Sequence, residues 1–130
     1  MTVMILEIKT HELDGGITVV EMIGRMSLGN ELTYAEDRIT KLITGGARKV
    51  ILDLKALNYV DSAAIGVMVM LFGNMSKAGG QLRMAGPTPV VAKIFTITNL
   101  NKIVPIDPDV DTAVERFTQA QASGAHATGA

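Results

Sequence analysis

The chain has 130 residues, 48% hydrophobic and 19% charged, which suits one packed core and leaves no room for a second domain. Its 12 basic and 13 acidic side chains leave a formal charge of -1, so there is no electrostatic footprint for DNA or RNA. Cysteine is absent, which removes disulfides, thiolate nucleophiles and thiolate metal sites together and suits a reducing compartment.

The opening residues, Met1 to Glu7, lack a basic region followed by a long apolar stretch, so no signal peptide is read and a cytoplasmic protein is expected. Met4 to Lys9 and Ile17 to Ile23 are short, β-branched runs. The Asp14-Gly15-Gly16 turn between them tolerates positive φ and predicts a hairpin. After Gly24, apolar residues Leu28, Leu32, Ala35, Ile39, Leu42 and Ile43 recur at helical spacing, and Gly45-Gly46 ends the run; the first helix is predicted over 29–44. Lys49 to Leu54 has the continuous apolar character of a parallel strand buried on both faces.

Ser62 to Ser76 is the longest uncharged run. It is shorter than the ~20 residues of a spanning helix and is broken by Gly66, Gly73 and Asn74, so a buried helix is expected and no membrane insertion. Its first half is apolar on every side, which predicts that part of it stays exposed unless another surface covers it. Ala78-Gly79-Gly80 stops this helix before a strand at Gln81 to Ala85. A third helix is predicted over 88–99, opened by Pro87 and Pro89, and a short edge strand over Ile103 to Ile106. Asp107-Pro108-Asp109 then supplies a cap and acids for a fourth helix over 108–122. Residues 123–130 carry small side chains and no apolar period, and a flexible C-terminal tail is expected beyond a single domain at 1–122. The order ββαβαβαβα predicts an α/β fold with a four- or five-stranded, mostly parallel sheet and an antiparallel edge strand.

Two motifs fail on chemistry. Gly24-Arg25-Met26-Ser27-Leu28-Gly29 has the glycine spacing of a phosphate loop, but Asn30 and Glu31 stand where Lys and Ser or Thr would hold phosphate and Mg²⁺. Asp107, Asp109 and Asp111 alternate as calcium-loop ligands do, yet Thr112 and Thr118 replace the required Gly and Glu. No metal, no cofactor and no catalytic set is expected, since no histidine, cysteine or converging carboxylates pair as base and nucleophile. The segment Asn58 to Gly66 is different. Asp61 can cap the apolar helix, and Ser62 falls in its first turn, at the carboxyl end of the parallel strands where open α/β sheets place their working surfaces. There it either helps the cap or is displayed.

In order and spacing, Gly24, the strand Val50 to Leu54, Asp61-Ser62-Ala63-Ala64-Ile65-Gly66 and Gly79-Gly80 resemble the STAS domain, the family of bacterial anti-sigma-factor antagonists. The resemblance implies that Ser62 is phosphorylated by an anti-sigma factor that is a serine kinase, and dephosphorylated by a PP2C-type phosphatase. It also implies that the unmodified form sequesters the kinase and frees a sigma factor. The expected partner surface comprises Gly24, Arg25, Met26, Ser27, Asp61, Ser62, Ala63, Ala64, Ile65 and Gly66. Ala63-Ala64 departs from the family's Ser/Thr-Gly, and Ser27 stands where an Asp is common; Ala64 would add a methyl on the side a partner approaches. An unphosphorylated adaptor in a signalling scaffold or transport complex, and a small-ligand or nucleotide-binding module, are the competing readings. A homodimer is left open.

Overall fold

The computed structural model describes residues 6–128. β1 (Leu6–Leu13) and β2 (Ile17–Met26) form the hairpin, with Gly15 and Gly16 both at positive φ in its turn. Then follow α1 (Asn30–Thr44), β3 (Lys49–Val60), α2 (Ser62–Lys77), β4 (Gln81–Ala85), α3 (Pro89–Ile97), β5 (Ile106–Asp107) and α4 (Val110–Thr128). The sheet order is β1-β2-β3-β4-β5, antiparallel between β1 and β2 and parallel elsewhere.

Alternation along the strands divides the core into two layers. Val20, Met22, Val50, Leu52 and Leu54 point to one side and meet α1, α2 and α3. Val19, Ile51 and Ala85 point to the other and meet Ala113 and Phe117 of α4. On the α4 side lie the buried acids. Asp107 accepts two hydrogen bonds from Arg83, at 2.7 and 3.1 Å, and Asp53 pairs with Lys55 at 2.5 Å.

Several predicted boundaries change, and β1 and β2 run past the expected Lys9 and Ile23, to Leu13 and Met26. β3 runs on to Val60 because β2 keeps pairing with it, through irregularities at Glu21/Ile23 and Gly24/Arg25, as far as Met26↔Val60. The strand expected over Ile103 to Ile106 shrinks to Ile106–Asp107. The chain first makes a 3₁₀ turn, Leu100–Lys102, and the amides of Ile103 and Val104 both donate to the Leu100 carbonyl, so neither joins the ladder. Asp107 consequently sits in the sheet with Arg83, and the cap of α4 falls to Asp109, whose carboxylate accepts from the Thr112 amide at 2.7 Å. α4 also continues to Thr128, past the expected end near Ala122, through alanines that favour helix.

Gly80 is where β3 and β4 are brought together. A Cβ there would lie 2.6 Å from both the Arg48 carbonyl oxygen and the Met75 sulfur, while the same Arg48 carbonyl accepts from the Gln81 amide at 2.8 Å. Gly80→Ala is therefore expected to lower stability by about 2 kcal/mol, the range for overpacking a closed site. Urea unfolding with an unchanged slope measures it.

Candidate functional site

β2 and β3 are parallel neighbours, so their carboxyl ends emerge together and the loops that follow them meet. Gly24, at φ 110, sits at the irregularity in β2. Arg25 is exposed and places its guanidinium 4.7 Å from the centre of the Tyr59 ring on β3. Such a cation over a ring face stiffens two side chains that would otherwise move freely.

Asp61 joins the two loops. One carboxylate oxygen accepts from the Ala64 amide at 2.9 Å and caps α2; the other accepts from the Leu28 amide at 2.8 Å in the loop before α1. The Asp61 amide donates to the Met26 carbonyl at 3.3 Å. Burial alone would raise this carboxyl, but hydrogen bonds from the backbone of Leu28 and Ala64, and of Asp61 and Ala63, outweigh it and hold the group below its ordinary range. With Asp61 serving as the cap, the Ser62 hydroxyl has no hydrogen bond among the described residues and is exposed on the first residue of α2.

The ten expected partner residues separate by depth. Arg25, Ser62 and Gly66 are exposed, and Gly24, Ser27, Asp61 and Ala63 are half-buried beside them. Met26, Ala64 and Ile65 belong to the core; Ile65 is 9% exposed and turned inward, so an acidic substitution there would test folding and not contact. Ala64 is fully buried as well, and its methyl group therefore does not stand on the side a partner approaches. The sequence reading missed Leu28 and Tyr59. Leu28 had been counted in the apolar period of α1, but Gly29 is the cap of that helix, and Leu28 lies outside it, 78% exposed. Tyr59 has its signal only in register, directly across from Arg25.

The apolar α2 is largely covered. It packs against α1 and over β4, Met68, Leu71 and Met75 are buried, and its outward line runs through Ser62, Gly66, Met70 and Asn74, with Gly73 half-buried beside it. No helix among the described residues is long and apolar enough to cross a membrane.

The carboxyl ends of β2 and β3 thus carry an exposed serine on a capped helix beside an exposed loop, on a mostly parallel sheet with one antiparallel edge strand. Residues 8–113 match the STAS domain, and the chain belongs to that family. A Thermotoga neapolitana protein, provisionally named an anti-sigma factor antagonist, is 31% identical over 75 residues, which are 58% of this chain and 66% of that one. The anti-sigma-B factor antagonist of Bacillus subtilis is 32% identical over 62 residues, 48% of this chain and 57% of that one. The matched stretches thus span less than two thirds of these relatives' own length. In fold, the chain resembles the Bacillus anti-sigma factor antagonist SpoIIAA. The unphosphorylated form gives a TM-score of 0.71 at 19% identity over 87% of this chain and 97% of that one. The phosphorylated form gives 0.66 at 18% over 85% and 99%.

Removing the cap tests the joint. Asp61→Ala is expected to lower stability by about 1 kcal/mol at neutral pH. Because the folded-state carboxyl titrates below its ordinary value of 3.8, its contribution is complete above that value and is lost as the pH falls through the folded-state value. The gap between wild type and Asp61→Ala in urea unfolding should accordingly close at acid pH and be constant from mildly acidic to neutral pH.

Proposed function

We propose that this chain is an anti-sigma factor antagonist, a non-catalytic regulator that binds a serine-kinase anti-sigma factor through the β2–α1 loop and the start of α2. Phosphorylation of Ser62 by that kinase switches the binding off, and a PP2C-type phosphatase restores it. The observation that carries this reading is the Ser62 hydroxyl, exposed and without a hydrogen bond among the described residues, at the first residue of a helix that Asp61 already caps. Membership of the STAS family and the names of the relatives support it, as does the existence of SpoIIAA in both phosphorylated and unphosphorylated forms.

A phosphate on Ser62 adds about -1.5 to -2 charges at a helix N-terminus, where the dipole and free amides accept an anion without unfolding the domain. The surface is what changes. A strongly hydrated anion beside Leu28 and Gly66 must be stripped of water when a partner covers it, at a cost of about 3 to 4 kcal/mol without a matching arginine. That is a few hundredfold in affinity, since about 1.4 kcal/mol is tenfold.

Ser62→Asp is expected to keep the fold and lose much of its affinity for the kinase, while Ser62→Ala binds and is not phosphorylated. Incubation with each serine kinase of the same genome and ATP, followed by peptide mapping, decides the matter. Phosphate on another residue, or on none, rejects the switch.

Gly66→Ala separates contact from folding. A Cβ at Gly66 meets nothing within 4 Å, so the substitution should raise stability by up to about 1 kcal/mol through helix propensity. If the kinase packs closely on this line of α2, the same variant binds it more weakly in calorimetry. Undiminished affinity would place the contact elsewhere.

A further inference from the structure

The acidic residues are distributed unevenly. All 13 lie at or before Asp61 or at or after Asp107, so residues 62–106 carry Lys77, Arg83, Lys93 and Lys102 with no carboxylate. Arg83 is engaged by Asp107. Lys77 at the end of α2, Lys93 on α3 and Lys102 in the 3₁₀ turn are exposed and make no ion pair or hydrogen bond among the described residues. The same stretch exposes Val90 at 58%, Ile97 at 68% and Ile103 at 48%. α2 and α3 pack on one side of the sheet, and Ser62 opens α2 on that side. Gly66 and Gly73 leave open space where a side chain would stand on α2.

Building on the proposed function, we infer that the α2–α3 side of the domain docks an acidic surface of the anti-sigma factor that carries aliphatic side chains among its carboxylates. Unpaired lysines attract carboxylates and reject basic partners, and the exposed aliphatic residues of the same stretch supply the area to be buried. Two copies of this side would set lysine against lysine. On α2 the exposed Met70 stands between Gly66 and Gly73, and the open space at the two glycines receives side chains of a protein partner on either side of it. Ser62 lies at the margin of this acid-free stretch. Its phosphate, about -1.5 to -2 charges, stands beside Asp61 and about 22 Å from Lys77 at the far end of α2, so it acts on the contact at the helix start and not by neutralising the lysines.

The test combines Lys77→Glu, Lys93→Glu and Lys102→Glu in one variant, with Lys9→Glu and Arg116→Glu, on β1 and α4, as a control. Circular dichroism and gel filtration establish that both are folded. Calorimetry uses the anti-sigma kinase that labels Ser62 in the wild type. The triple variant should bind at least about tenfold more weakly while the control changes little. Raising salt from about 0.05 to 0.5 M should weaken the wild type more than the triple variant, because screening acts only where charges attract. Equal affinity of the triple variant and wild type overturns the inference and leaves the proposed function standing. A wild type that no anti-sigma kinase binds or labels overturns both. Lysine-dependent sedimentation with phosphatidylglycerol vesicles, or lysine-dependent self-association, with kinase affinity unchanged, overturns it in favour of a lipid or a second copy.

Discussion

The site depends on one carboxylate used twice. Asp61 holds the Ala64 amide with one oxygen and the Leu28 amide with the other, so a helix start and a loop 33 residues away in sequence share an anchor. Each bond satisfies a backbone donor that would otherwise be left to water at the edge of the core. The double engagement also decides what Ser62 can be. A serine that capped α2 would bring its oxygen back to the helix amides, whereas a serine relieved of that duty can offer it to another molecule. Leu28 is displayed for the same reason, since the hydrogen bond to its amide fixes the loop while its side chain finds no place in the core.

What brings Asp61 within reach of Leu28 is the length of β2 and β3. Their pairing continues past the end of the apolar run, to Met26 and Val60, and tolerates two irregularities on the way. An interrupted ladder twists more strongly and re-aims side chains. Here it carries Arg25 over Tyr59 at the rim. The sheet ends are thus braced by a ladder, a cation over a ring and a shared carboxylate, and the exposed surface is built on rigid elements and not on a free loop.

Much of this was legible in the residues. Helical spacing from Leu32 to Ile43, the apolar run Val50 to Leu54 and the Gly79-Gly80 stop each map onto an observed element, because in each the local pattern and the final burial agree. Asp61 as a cap was legible too, since the residue type and its position before an apolar helix suffice. The second bond of Asp61 was not, because nothing local marks Leu28 as its partner. Asp107 was misread for a related reason. An acid beside Pro108 has the local signature of a helix start, and only the position of Arg83 on β4 draws it into the sheet. Ile65 and Gly66 illustrate the limit of an all-apolar helix. With no polar face, sequence cannot tell which residue points out, and the answer comes from α1 and the sheet covering the rest.

A binding surface of this kind is marked less by what it contains than by what it lacks. Gly66 sits in a helix interior, where glycine is disfavoured by up to about 1 kcal/mol relative to alanine, and no packing within the chain requires it. The stretch from Ser62 to Ile106 contains no acid, although folding places no bar on a carboxylate at its exposed positions. Neither omission helps the isolated domain. Both make sense if another surface approaches α2 closely and carries the opposite charge. A phosphate at Ser62 then supplies, by modification, the bulk and the negative charge that the sequence withholds, and it does so at a helix end that tolerates an anion. The switch under this reading changes what the surface presents and leaves the fold as it is.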